Sequence, residues 1–130
     1  MTTTHHTLTG IWHGLYSEPT GAQESFVAEL TETLGVLIGK VTETHKSGPF
    51  AGKTLRAHLV GERDHGKISF VKTYDGASGV SHSLNYEGEL TECGCEIEGM
   101  WRIDDFAGSF MMIRSSALPA AQVRAVAVDA

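Results

Sequence analysis

Apolar and polar residues alternate along most of this chain with the period of two that puts successive side chains on opposite faces of a β-strand. In residues 25–32, Phe26, Ala28 and Leu30 fall on one face and Glu29 and Thr31 on the other. Residues 36–43 repeat the pattern with Leu37, Gly39 and Val41 turned inward. It continues through 55–62, through 67–74 (Ile68, Phe70, Lys72 and Tyr74 sharing a face), through 80–90 (His82, Leu84, Tyr86) and through 95–104 (Ile97, Gly99, Trp101, Ile103). Segments 10–16 and 108–114 open and close the series. The intervening stretches carry turn residues: Pro19 and Gly21, Leu34-Gly35, Ser47-Gly48-Pro49, His65-Gly66, Asp75-Gly76, Gly94 and Asp105. Short and long connections alternate, as they do when antiparallel strands run up and down. The pattern predicts an all-β fold, an eight-stranded antiparallel up-and-down β-barrel whose interior holds side chains or one small ligand. Gly39, Gly61, Gly88 and Gly99, lone glycines inside strands, mark where the sheet curls. The long loops 45–54 and 75–79 belong at the mouth, and 91–94 at the opposite end.

A chain of 130 residues fits one domain. We divide it into an N-terminal tail (1–9), the barrel (10–115) and an alanine-rich C-terminal extension (116–130). Fifteen glycines against three prolines fit many tight turns. Ten basic and sixteen acidic side chains leave a net charge of −6, which argues against nucleic acid or an anionic membrane surface as partner. The N-terminus has neither the basic start nor the apolar run of a secretory signal, and no stretch nears the ~20 apolar residues of a membrane span, so a cytoplasmic location is expected. Cys93 and Cys95, two apart in a turn, read as too close to bridge one another, and no disulfide framework is expected.

Gly10-x-Trp12 on the first strand, with Arg114 at the end of the last, resembles the shared framework of the calycin barrels, the lipocalins and avidins among them, over residues 10–114. The resemblance implies that the Arg114 guanidinium lies across the Trp12 indole and seals one end of the barrel. The strand layout is closest to the avidin-like branch, through Leu37-Ile38-Gly39, Leu59-Val60-Gly61, Tyr86-Glu87-Gly88 and Ile97-Glu98-Gly99-Met100-Trp101. The likeness stops at the pocket. Positions that would carry the polar groups and stacked tryptophans of a biotin site hold Val41 and Phe70, and Trp101 alone serves as an aromatic wall. The absence of a helical pair between the first two strands separates the chain from the ten-stranded fatty-acid-binding type. What the resemblance implies is a barrel that binds a small molecule other than biotin.

Strand alternation gathers Tyr16, Phe26, Glu43, Phe70, Lys72, Tyr74, His82, Tyr86 and Trp101 on the inner face, aromatic walls with a few polar groups, which is the usual make-up of a small-molecule site. Tyr16, Glu43, Tyr74 and His82 belong toward the mouth. The competing picture is a filled barrel, serving only as an assembly module, in which Lys72 and Glu43 pair to avoid a lone buried charge. An enzyme of this shape, an isomerase or hydrolase, would use His82 with Glu43 as its acid/base couple, but no nucleophile motif accompanies them, and no catalytic residue is assigned. The seven histidines do not converge: His5 and His6 fall in the tail, His13 and His58 on the outer wall, His45 and His65 in loops at opposite ends. No metal or other cofactor is expected. His13, Val27, Ile38, Val60, Val71, Met111 and Ile113 point outward, an apolar exterior that suits a homo-oligomer, dimer or tetramer. The reading is a lipocalin-like barrel with an unidentified, partly apolar ligand in its open end.

Overall fold

A computed structural model describes residues 7–46, 48–77, 79 and 81–114. Its strands are β1 (Gly10–Ser17), β2 (Gln23–Thr33), β3 (Val36–Thr44), β4 (Thr54–Asp64), β5 (Lys67–Tyr74), β6 (Ser83–Leu90), β7 (Glu96–Ile103) and β8 (Phe106–Arg114). Each pairs antiparallel with its chain neighbour, and β1 pairs with β8 to close the ring. This is the predicted all-β eight-stranded barrel. Closure removes every free strand edge, so backbone groups along the ring find partners within it. Strand ends differ modestly from the sequence reading: β6 starts at Ser83 rather than at residue 80, and β8 starts two residues before 108.

The alternation translates directly into burial. In β3, Leu37, Val41 and Glu43 are buried while Ile38, Lys40 and Thr42 face out. The β2–β3 turn is Leu34-Gly35, both with positive φ (50° and 82°), the two-residue geometry whose twist matches that of the flanking strands. The strand glycines act through proximity. Gly88 and Gly99 face each other across β6 and β7, and a Cβ on Gly99 would lie 2.5 Å from the Gly88 Cα and overlap the Glu87 carbonyl. Only a bare backbone lets the sheet pinch there.

The closed end is built on Trp12, which is fully buried. The Arg114 guanidinium carbon stands 4.8 Å from the indole centroid, a cation–π contact. Arg114 also donates to the Thr7 carbonyl and, at 2.6 Å, to the Gly94 carbonyl. Trp12 Nε1–H donates to the Leu8 carbonyl at 2.9 Å. Thr7–Thr9, assigned to the tail, therefore form part of this plug: Leu8 is buried and its N–H donates to Glu32 at 2.7 Å. Residues 1–6 and the C-terminal extension lie outside the described residues.

One expectation is overturned here. Cys93 and Cys95 are joined as a disulfide. Gly94, at φ +74°, folds the β6–β7 turn back on itself, so the two Cα atoms stand 5.3 Å apart, inside the range a bridge spans. Arg114 grips the same turn through Gly94, tying the disulfide to the plug.

Candidate functional site

Above the plug, the interior divides into a packed lower half and an open upper half. In the lower half Phe70 stacks on Tyr86 (ring centroids 4.7 Å, planes 10° apart), and Phe110 meets both edge-on. Phe26, Phe70 and Tyr86, expected as ligand contacts, are thus engaged largely with other side chains. Tyr16, Tyr74, His82 and Trp101 line a cavity of about 340 Å³ at the mouth. Phe50, Leu55, Leu84, Ile103 and Phe106 complete its apolar wall, with Glu18, Pro19, His45 and Pro49 at the rim. Trp101 is fixed by donating its Nε1–H to the Ser17 carbonyl at 2.8 Å, and it meets Tyr16 edge-on.

The floor between the two halves is an ion pair. Lys72 Nζ contacts Glu43 Oε2, both side chains being buried. The pairing weighed for a filled barrel is present, yet it coexists with the open mouth above it. Glu43 also accepts from Tyr16 Oη (3.0 Å to Oε1), from Tyr74 Oη (2.8 and 3.0 Å to Oε1 and Oε2) and from His45 Nε2 (3.0 Å to Oε1). Lys72 Nζ sits over the rings of Tyr16 (4.7 Å), Tyr74 (4.8 Å) and Tyr86 (5.2 Å), so aromatic faces supply what water would otherwise give the ammonium. Burial alone would push the Glu43 carboxyl up, but the Lys72 ammonium and the hydrogen bonds from Lys72, His45 and Tyr74 hold it below the ordinary carboxylate range. Burial works on Lys72 in the opposite sense and is likewise outweighed, by Tyr86, Glu43 and Tyr74, so its ammonium is held more strongly than usual. Burial, with Glu43 beside them, pushes the Tyr16 and Tyr74 hydroxyls well above their usual range. These groups form a set fixed in one protonation state around neutrality: carboxylate, ammonium and two intact phenols.

The histidine of this set is not the one expected. His82 is exposed at the rim, with its ring 5.1 Å from that of Tyr74, and His45 occupies the place beside Glu43. The reason is register. Inward alternation on β3 runs through Val41 and Glu43 and continues one step beyond the strand to His45, whose backbone N–H donates to the Lys53 carbonyl and closes the loop. Glu24 was missed in the same way, because β2 begins at Gln23, three residues before Phe26 and inside a segment read as loop, and turns Glu24 inward. His45 meets carboxylates. Donor atoms of Glu18, Glu24 and His45 lie within 4.8 Å of one another, a spacing from which a metal ion could be held. A second concavity, over Gly88 and Gly99, is lined by Glu62, Asp64, Glu87, Glu89 and Glu98 together with Lys67, Ile68, Ser69 and Met100.

No family model and no curated protein matches the chain. Among solved structures it is similar to a de novo designed fluorescence-activating β-barrel, with a TM-score of 0.62 and 14% identity over 88% of this chain and 99% of that one. It is also similar to a redesigned β-barrel, with a TM-score of 0.64 and 12% identity over 87% of this chain and 98% of that one. At these identities the likeness is one of fold.

Proposed function

We propose that the protein is a small-molecule carrier or sensor that takes a partly apolar ligand into the mouth of its barrel. The observation that carries this reading is the cavity itself: about 340 Å³ with a largely apolar wall over a polar floor whose charges are already paired. A pocket of this make-up gains affinity from burying apolar surface and orientation from a few hydrogen bonds. Among the described residues no lysine or arginine lines the cavity, and Glu18 stands at its rim, so the occupant we propose is neutral or cationic rather than anionic. The likeness to a designed fluorescence-activating barrel supports the reading to the extent that such a ring can hold a cavity. The Trp12–Arg114 closure supports kinship with the calycin barrels. Acid/base catalysis is the weaker reading, since Glu43 is spent on Lys72 and two tyrosines and His82 makes no couple with it.

The test uses the neutral fluorophore N-phenyl-1-naphthylamine as probe. The full chain is expected to enhance its emission with one site per barrel, and Trp101→Ala to weaken binding at least about tenfold, the loss of roughly 1.4 kcal/mol of contact. Absence of enhancement, or equal affinity in Trp101→Ala, refutes a mouth pocket.

We further propose that barrels associate wall to wall. Ile38, Val60 and Val71 are opposite one another on β3, β4 and β5 and are 59%, 53% and 39% exposed, a contiguous apolar row on the outer face. Lys40 lies on one side of the row and Glu62 on the other, so a two-fold packing brings opposite charges together.

A further inference from the structure

We propose that the Cys93-Gly94-Cys95 turn at the closed end is a thiol–disulfide exchange centre, which passes two electrons between its own dithiol and low-molecular-weight thiols of the glutathione class. Two features set this bridge apart from a structural staple. A staple stabilises by closing a loop in the unfolded chain, and its effect shrinks with the loop; these cysteines are only two residues apart, so the loop closed is very short. The turn is also held without the sulfurs. Thr91 N–H donates to the Glu96 carbonyl at 2.9 Å, Gly94 N–H to the Thr91 carbonyl at 2.9 Å, Arg114 N–H to the Cys95 carbonyl at 2.8 Å, and the Arg114 guanidinium to the Gly94 carbonyl at 2.6 Å. Gly94 adopts the positive φ of the turn, +74°, at no steric cost. A backbone fixed in this way keeps the two Cα atoms near their 5.3 Å separation when the bridge opens, so the thiols stay within reach and the bridge re-forms as an intramolecular step.

The two sulfurs are unequal. Cys93 is exposed and Cys95 half-buried, so an outside thiolate reaches the Cys93 sulfur first. Cys93 Sγ accepts from the Cys95 N–H at 3.3 Å and lies 3.4 Å from the Thr91 hydroxyl, groups that stabilise negative charge on this sulfur once the bridge is open. Arg114 sets a cation against the turn while Glu92 and Glu96 flank it with carboxylates, so the local field is mixed and a Cys93 thiolate draws on these hydrogen bonds. The reaction balances in both directions. A thiolate attacks Cys93 Sγ, the Cys93–Cys95 bond breaks, and the electron pair leaves on Cys95, which takes up the proton that the attacking thiol lost. A second thiolate attacks the outer sulfur of the mixed disulfide and releases the small-molecule disulfide, leaving Cys93 as thiolate or thiol. In the oxidising direction Cys93 attacks a small-molecule disulfide and expels one thiolate, then Cys95 attacks Cys93 Sγ and expels the other. The bridge lies at the end of the barrel opposite the mouth, so this inference stands apart from the small-molecule reading.

The experiment equilibrates the full chain, whose only cysteines are these two, in buffers of varied ratio of reduced glutathione to glutathione disulfide, quenches with an alkylating agent and counts each species by intact mass. The dithiol fraction is expected to rise and fall reversibly with the ratio, while circular dichroism stays that of the folded barrel. When the reduced single variants are mixed with glutathione disulfide, Cys95→Ser is expected to accumulate a mixed disulfide on Cys93, and to form it at least tenfold faster than Cys93→Ser forms one on Cys95. Should either variant fail to fold, the reversible titration of the parent chain decides the question. A bridge that glutathione opens only in urea overturns the proposal and makes the turn a structural staple. Thiols that do not re-form the bridge when glutathione disulfide is supplied overturn it as well, and equal rates in the two variants overturn the role of Cys93 as the entry sulfur.

Discussion

Replacing Lys72 by Met keeps most of the side-chain volume and removes only the charge, which leaves the Glu43 carboxylate buried without its ammonium. Glu43 retains hydrogen bonds from Tyr16, Tyr74 and His45, so the loss is that of the ion-pair partner rather than of every contact. Breaking a buried pair from one side costs about 3–5 kcal/mol. With a urea dependence of about 2 kcal/mol per M, the unfolding midpoint of Lys72→Met falls by roughly 1.5–2.5 M at pH 7. The pH dependence separates this cause from simple loss of packing. Without Lys72, burial dominates and pushes the Glu43 carboxyl up, so the variant gains relief by protonating it and its deficit shrinks between pH 7 and pH 5. In the parent chain Glu43 is held below its ordinary value of 4.5, so its contribution is full above that value and is lost only as pH falls through the lowered one. Adding Glu43→Gln to Lys72→Met restores much of the stability, because the amide oxygen still accepts from the tyrosines. A Lys72→Met midpoint within about 0.5 M of the parent, equivalent to about 1 kcal/mol, refutes the reasoning, as does a deficit that is flat from pH 7 to pH 5.

Trp12→Ala empties the centre of the plug and is expected to destabilise by about 3–5 kcal/mol in thermal or urea unfolding; a change near zero means that the indole does not close the barrel. Stability is expected to fall in alkali. Tyr16 and Tyr74 titrate above their ordinary 10.0 and Lys72 above its ordinary 10.5, so their contributions are complete below those values and are lost as pH rises through the elevated ones. Urea midpoints that stay level from pH 9 to pH 11.5 contradict this. Val60→Lys, placing a charge in the middle of the exposed row, is expected to convert a self-associating parent to monomer in sedimentation velocity, and a parent that is already monomeric at about 100 μM refutes the wall contact.

The strand order and ring closure were legible because every strand presents one face to the core and the other to water, so the period of two is written into the residues at each step. Depth along the barrel axis leaves no such mark. Phe70, Tyr74 and Tyr86 all read as inward, and only the register shows that Phe70 and Tyr86 meet at one level whereas Tyr74 stands above them. Site residues just beyond strand ends were lost for a related reason. Glu24 and His45 obey the alternation of Phe26 and Glu43, but Pro19, Gly21, Gly48 and Pro49 nearby signal loop, and turn chemistry outweighed period. His82, beside a true strand, took the role that belongs to His45. The Cys93–Cys95 bridge was invisible because it depends on the backbone of Gly94 rather than on the separation of the cysteines.

These positions sort the chain into parts with separable consequences. The plug of Leu8, Trp12 and Arg114 and the stack of Phe70, Tyr86 and Phe110 are buried and make no contact with the mouth cavity, so changes there act on stability. His82 and Phe106 are exposed and Glu18 half-buried where they line the cavity, so changes there alter the mouth rather than the core. Glu43 and Lys72 belong to both. They fill the level at which packing gives way to cavity, and the carboxylate that neutralises the buried ammonium is the same one that aligns Tyr16, Tyr74 and His45, all of which line the pocket. A barrel filled throughout needs no charge at that level, and apolar residues of similar volume serve as well or better. A fixed carboxylate with three polar groups gathered about it at the foot of an opening is the physical ground on which the mouth is proposed as a site.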